Sequence, residues 1–554
     1  MNQSRHPATV RAEGEASPVD KGGLLKTVGW MGLLLLFACL LMSLARTGEV
    51  FESEFGGHPD EAAHYVTGLM VYDYVRDHLG EHPLHFANDY YEHYPKVALG
   101  HFPPGFYVVE AVWFLFFSES LSSAILLQAV IAAALGVTIA LLIVVAGGGK
   151  AIALLVGLLF CSFPLVQRFV GMVMSDLLLS ACCVAASLAF AGYLKRPSYR
   201  SSLSFGVLAA FAIMTKASGL MLAFVPPLSL ILTRRYALFR KGSFWVGAIP
   251  VVLVCVPWIL LTYKITEEGM VGEWSPAYVA EALPYFAGQL YATVGLVMLL
   301  LTVIGVLASV KGRIASGKIP ELTAVMLALP LGLGVTYTLI PVGFEQRYLL
   351  PALVPLMFFA GLGLSWLWEK GCERGWKQGQ LLLGLALVLA VAFGETFEVP
   401  KKEFSGFRKL VAAMKEGSDE TTARILVSSD ARGEGAVVAE VAMVDERPET
   451  QVFRGTKVLS TSDWMGRGYQ LAHESAEALI EFLRSEPVSW VVVDHSVPDD
   501  KRMDHHGQLE VTVARFPEVF QLVASVEMRR KYRGERTEAF LYRVVQEADS
   551  ESER

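Results

Sequence analysis

The feature that most constrains this chain is a series of apolar runs, each about as long as the roughly 20 residues that cross a hydrocarbon core, recurring from Leu24 to about Thr396. Lipid offers no partner to a backbone N–H or C=O, so each run can satisfy itself only as a helix. Eleven such segments can be marked, at approximately 27–45, 122–146, 151–168, 175–193, 202–217, 219–233, 244–263, 289–310, 322–340, 348–368 and 379–396. Only 18% of residues are charged, against about a quarter in soluble domains, which points the same way. The expected architecture is a mainly α, polytopic membrane helical bundle.

Basic residues set the orientation, because loops rich in Lys and Arg stay on the cytoplasmic side. Lys195, Arg196 and Arg200 form one cluster and Arg234, Arg235, Arg240 and Lys241 a second. Lys311, Arg313 and Lys318 form a third, and Lys370, Arg374 and Lys377 a fourth. Eleven crossings from a cytoplasmic N-terminus put all four on one side. The segment 103–117 is apolar and aromatic but short, opens with Pro103 and Pro104 and contains Glu110, so it reads as an interfacial helix. Residues 1–23 then form a disordered cytoplasmic arm, and 24–399 the transmembrane part with an external loop over 46–104. The run after the arm is long for a signal-peptide core and is followed by no clean small-x-small cleavage site.

Residues 400–554 fall outside the membrane. They alternate helix-like stretches (406–415, 474–485) with strand-like runs (425–428, 490–494, 520–526, 539–545), the pattern of a small extracytoplasmic α/β domain. All six cysteines lie in or beside apolar runs and none follows Pro400, so no disulfide framework braces this tail. The net charge of -7 comes with no basic stripe, which argues against nucleic-acid binding.

Charged residues at the external edge carry the chemistry. The stretch 58–65 reads HPDEAAHY, with Pro59 ahead of a helix start that places Asp60 and Glu61 in or beside the first turn. An ionised carboxylate at the lip of a membrane cavity suits a general base, and it equally suits a helix cap. Seven of the twelve histidines lie in this loop, without a clear metal-ligand spacing, so a metal site is one option and solvated or hydrogen-bonded histidines the other. Asp176 opens a helix after 164–175, as a cap or as the ion-pair partner of Arg168. Lys216 lies in a nearly unbroken apolar stretch, where a lysine either snorkels or contacts a phosphate. Arg347 follows Glu345 on the external side, where the positive-inside rule does not account for it and a lipid phosphate does.

Together these residues resemble the large membrane glycosyltransferases with the C-type fold, and most of all the bacterial branch related to protein O-mannosyltransferases and aminoarabinose-lipid A transferases. The matching features are Asp60-Glu61 with Tyr65, His101 with Pro103 and Pro104, and the spaced set Pro164, Arg168, Gly171 and Asp176. Lys216 before Gly219, and Arg347-Tyr348 followed by Pro351 and Pro355, complete the order over about residues 25–370. The resemblance implies Asp60 as catalytic base supported by Glu61. It implies Lys216, Arg347, His101 and Tyr348 at the phosphate of a polyprenyl-phosphate sugar, and Asp176 as a second acidic position. It implies a lipid, glycan or protein acceptor, a bacterial inner-membrane location among membrane lipids, an inverting displacement and, in some relatives, a divalent metal ion. A transporter or lipid flippase is the alternative. Transporters place their polar groups near the bilayer midplane and often show repeated halves, whereas the polar residues here gather at one edge. A receptor or scaffold acting through its tail is a third class.

Overall fold

The structure is a computed structural model that describes residues 21–545 apart from 99, 268–271, 312, 314–318, 418–422, 463–466 and 532–534. The expected arm lies outside the described residues over 1–20, as does Lys318.

Eight helices among the described residues are long and apolar enough to cross a membrane, and the bent pair Lys150–Ser162 and Pro164–Val170, at 62°, makes nine. Pro164 has no N–H to continue the first helix, and the preceding Phe163 takes an extended conformation. The segments expected at 202–217 and 219–233 fall short of that length. They form a helix Tyr199–Thr215, an extended Lys216, a 3-10 stretch Ala217–Phe224 and a helix Val225–Thr233. They still join the two levels linked by the helix Asp176–Lys195, since Lys216 meets Asp176 at one end and Arg235 donates to the Leu194 carbonyl at the other. A 3-10 stretch rises about 2.0 Å per residue, which lengthens the reach of the second segment.

The segment expected at 289–310 is the second half of a longer helix, Pro276–Val310, which the sequence pattern hid because Pro284 and Glu281 interrupt its first half. Gly295, at φ 73°, breaks it, a conformation that costs a side-chain-bearing residue far more. Below the break the helix lies against Leu350–Glu373 through Gly305 and Gly363. A methyl on Gly305 would come within 1.8 Å of the Phe359 carbonyl oxygen, so only glycine allows this approach. On the outer surface Leu253, Leu260 and Leu387 are exposed, a face suited to lipid rather than water. The helix Gly105–Phe116 has 12 residues; it buries Glu110 and Phe114 and exposes Val108, Val112 and Phe116.

The tail carries a five-stranded sheet in the spatial order Gln451–Arg454, Arg424–Ser428, Trp490–Asp494, Glu538–Val544, Phe520–Glu527. The first three strands run parallel and the last two pair antiparallel. Polar contacts clamp this unit onto the loop 46–104. Glu54 accepts from the backbone N–H groups of Gly406, Phe407 and Arg408 at 2.9–3.0 Å, the donors at the start of the helix Phe407–Glu416. Arg447 grips Asp73 with two bonds, at 2.7 and 3.0 Å, and Tyr94 donates to Asp445 at 2.7 Å.

Lys402 is another deeply placed clamp, with its side chain 7% exposed against a fully buried Glu61. Its ammonium donates to Glu61 at 2.6 Å and to the Gly171 carbonyl at 3.0 Å. Replacing Lys402 by Met removes the cation but leaves Glu61 two backbone donors. The expected loss is about 1.5–3 kcal/mol, the range for hydrogen bonds to charged groups. Thermal unfolding of the full chain in detergent checks it, and a variant as stable as wild type would show that the clamp contributes nothing.

Candidate active site

Asp60 stands immediately before the helix Glu61–Asp77, yet its side chain makes no capping hydrogen bond. The carboxylate turns away from the helix and meets the Arg347 guanidinium at 3.4 Å. Arg347 also donates to Glu345 at 2.8 Å. His58 completes the ring: its Nδ1 accepts from the Asp60 N–H at 3.1 Å, which leaves the proton on Nε2, 3.6 Å from Glu345. Burial works against ionisation of Asp60, but the positive charge around it, including that of Arg347 and Lys216, outweighs this and holds the carboxyl below its usual range. His64, one turn along, is buried and hydrogen-bonded to the Tyr107 hydroxyl at 3.0 Å. Burial pushes its imidazole down to about 4, so it stays neutral at ordinary pH.

Lys216 occupies the break between the Tyr199–Thr215 helix and the 3-10 stretch, with extended backbone angles. Because the helices Asp176–Lys195 and Tyr199–Thr215 are consecutive and pack side by side, the start of one lies beside the end of the other. Lys216 Nζ accordingly donates to Asp176 at 2.7 Å, both groups being buried or nearly so. Asp176 is therefore an ion-pair partner and Lys216 does not snorkel. The ring of Tyr348 lies under both cations, 5.9 Å from Lys216 Nζ and 5.8 Å from Arg347 Cζ, and stacks on Tyr337 at 4.4 Å. Asp60, Asp176, Lys216, Arg347 and Tyr348 thus converge from four separate chain segments. Arg347 Nε and Asp176 Oδ2 are buried without a hydrogen-bond partner, so this centre holds unused donor and acceptor capacity.

Two expectations change. Glu61 does not face Asp60: besides Lys402 it accepts from Gly57 N–H at 2.8 Å and Val173 N–H at 3.3 Å, so it ties the tail to the start of both acidic helices. Any support it gives Asp60 runs through the backbone. Arg168 is not the partner of Asp176, because the bend at Pro164 leaves it exposed, lining a cleft under the tail. His101 is half-buried in the turn before Gly105. The loop histidines also go separate ways, His78 to Glu81 and His93 to the Asp89 carbonyl. Among the described residues no three His, Cys, Asp or Glu side chains group as metal ligands, and Asp60 and Asp176 each already face a cation. This donor set does not fit a bound divalent ion.

Sequence reasoning missed Tyr337 and the aromatic wall that continues from it. Phe286 lies 5.9 Å from Tyr337, and Tyr278 stacks on Phe344 at 5.2 Å. Tyrosines and phenylalanines are common in membrane helices, so no local signal marks these.

No protein-family model matches the sequence, and no curated relative matches it either. Solved structures do resemble it in three dimensions. ArnT from Cupriavidus metallidurans, solved bound to undecaprenyl phosphate, superposes with a TM-score of 0.54 at 15% identity, over 94% of this chain and 98% of its own. The apo oligosaccharyltransferase of Archaeoglobus fulgidus gives 0.54 at 12% identity, over 85% of this chain and 70% of its own. At such identities the likeness speaks for the backbone alone, but it spans membrane helices and tail together. This chain has the fold of the C-type membrane glycosyltransferases, with a small C-terminal sheet region.

Proposed function

We propose that this protein is an inverting glycosyltransferase that moves a sugar from a polyprenyl-phosphate donor to a lipid, glycan or protein acceptor on the external face of the membrane. The reading rests on one observation above all: two cations, Lys216 and Arg347, share the Tyr348 ring beside Asp60, and Arg347 keeps a buried N–H free. In this reading the donor phosphate takes the two cations, drawing Arg347 away from Asp60. The freed carboxylate accepts the proton of an acceptor hydroxyl or amine as that atom attacks the anomeric carbon. The bond between that carbon and the phosphate oxygen breaks, and the polyprenyl phosphate departs with the electron pair. Lys216 and Arg347 stabilise the charge that grows on the departing oxygen, so no strong acid is needed. Backside attack inverts the anomeric configuration. The N-terminus then lies in the cytoplasm and the tail outside, with the protein in a bacterial inner membrane.

Binding of undecaprenyl phosphate to the purified protein tests this reading apart from turnover. Arg347→Gln is expected to weaken it at least tenfold, as the loss of a charge-assisted bidentate contact would. Equal binding by wild type and variant would remove Arg347 from the phosphate site.

A further inference from the structure

The helix Asp176–Lys195 runs from the candidate site to the far end of the membrane part, about 30 Å away for its 20 residues. Two loops meet at that end. The Tyr193 hydroxyl pairs with Ser243 at 3.2 Å, Ser202 donates to the Phe244 carbonyl at 3.3 Å, and a methyl on Gly242 would lie 3.6 Å from the Tyr199 hydroxyl. The chain around 195–200 therefore abuts the chain around 240–245. Together they carry Lys195, Arg196, Arg200, Arg240 and Lys241, all exposed and none in an ion pair among the described residues. No Asp or Glu occurs from 177 to 266, and Glu321, which reaches this end from another helix, is taken by Arg235. The basic group at 370–377 differs, since Glu369 and Glu373 stand beside it and Lys370 pairs with Glu373. Orientation in the membrane depends on cations near helix ends and hardly on acids, so it does not account for a patch kept free of carboxylates.

Tyr199, Tyr236 and Trp245 stand exposed among these cations. The Trp245 indole N–H donates to the Phe239 carbonyl at 2.9 Å, which fixes the ring. Such aromatics sit at the level of lipid headgroups. Just beyond Trp245 the helix Ala248–Glu267 exposes Ile249, Val252 and Leu253, and the helix Tyr199–Thr215 packed on it exposes Leu203 and Val207. A molecule seated here meets cations, then aromatic rings, then apolar surface, the order of groups that an anionic lipid presents. We propose that this patch binds an anionic phospholipid, its phosphodiester held by Arg200, Arg240 and Lys241 and its acyl chains laid against the exposed faces of those two helices. Arginine matches phosphate oxygens in pairs, and basic groups between helix ends are suited to lipid headgroups. The inference does not rest on the transferase reading, because a lipid at the far end touches neither Asp60 nor Lys216.

The test is quenching of tryptophan fluorescence in the full chain, reconstituted in phosphatidylcholine nanodiscs that contain a small fraction of phosphatidylglycerol brominated high on its acyl chains. Phosphatidylcholine brominated at the same place and present at the same fraction is the reference. Bromine quenches only on close approach, and the difference between wild type and Trp245→Phe isolates the signal of Trp245. The anionic lipid is expected to quench Trp245 roughly threefold more than the zwitterionic one, and the excess should shrink with added salt. Arg200→Gln/Arg240→Gln/Lys241→Gln is expected to abolish the excess. Lys370→Gln/Arg374→Gln/Lys377→Gln, which removes as many charges, should keep it. Equal quenching by the two lipids in wild type overturns the proposal. Equal loss in the two triple variants also overturns it, as diffuse attraction to any basic surface. If the first triple variant fails to insert, the wild-type comparison of the two lipids decides alone. Soluble glycerophosphoglycerol should leave the quenching unchanged, and displacement of the lipid by it would assign the patch to a free phosphate compound instead.

Discussion

Asp60→Asn is expected to lower kcat/KM for sugar transfer by roughly 100- to 10,000-fold, the range for loss of a general base. The substitution keeps the side chain's shape, and Arg347 retains Glu345, so thermal stability should stay close to wild type. The pH dependence of the unmodified protein tests the same assignment. A base works only when deprotonated, so activity is lost as pH falls through its folded-state value. Asp60 is held below the usual carboxylate range, and buried His64 titrates at about 4. The acid limb should therefore lie below the usual carboxylate range, with a plateau above it through neutral pH. A limb near 6.5 would instead point to an imidazole as the base.

The second large effect falls on stability as well as activity. Lys216→Met leaves Asp176 buried with the ammonium on its Oδ1 gone and its Oδ2 still without a hydrogen-bond partner. Breaking a buried ion pair from one side costs about 3–5 kcal/mol, because the surviving charge is uncompensated. Lys216→Met/Asp176→Leu removes both charges and should regain most of that loss, while transfer stays at least 100-fold down for want of the cation. Differential scanning fluorimetry and a turnover assay on the two variants separate the contributions. If the double variant regained activity together with stability, Lys216 would be a structural lysine only.

The residues of this centre were legible in the sequence for a physical reason. Asp60, Asp176, Lys216 and Arg347 are charges at the edges of apolar runs, where an ionised group needs a partner or a task, and the four turn out to be one another's neighbours. Helix polarity then does the assembly, since alternate crossings bring the starts of some helices beside the ends of others. What escaped was every interaction without a local signature. Glu61 looked like a second catalytic carboxylate because it adjoins Asp60, but its partner Lys402 lies 341 positions away in the tail. Arg168 looked like a partner for Asp176 at eight residues' distance until the bend at Pro164 turned it to the cleft. The crossing pattern was read well where runs are long and unbroken, as at Leu121–Val145, which Ser120 caps at 3.3 Å. It was read less well where a chain breaks inside the bilayer-length stretch, at Lys216 and at Gly295, because a break does not change hydropathy.

The most direct test of the account is the fate of a radiolabelled polyprenyl-phosphate sugar offered to the wild-type protein in sealed proteoliposomes with a membrane extract as acceptor source. A panel of donor sugars is needed, and both the label and the lipid product are followed. Transfer of label to an acceptor, with one polyprenyl phosphate released for each sugar moved and the anomeric configuration inverted, is the predicted result. A donor recovered intact on the opposite leaflet would contradict it and make the protein a flippase.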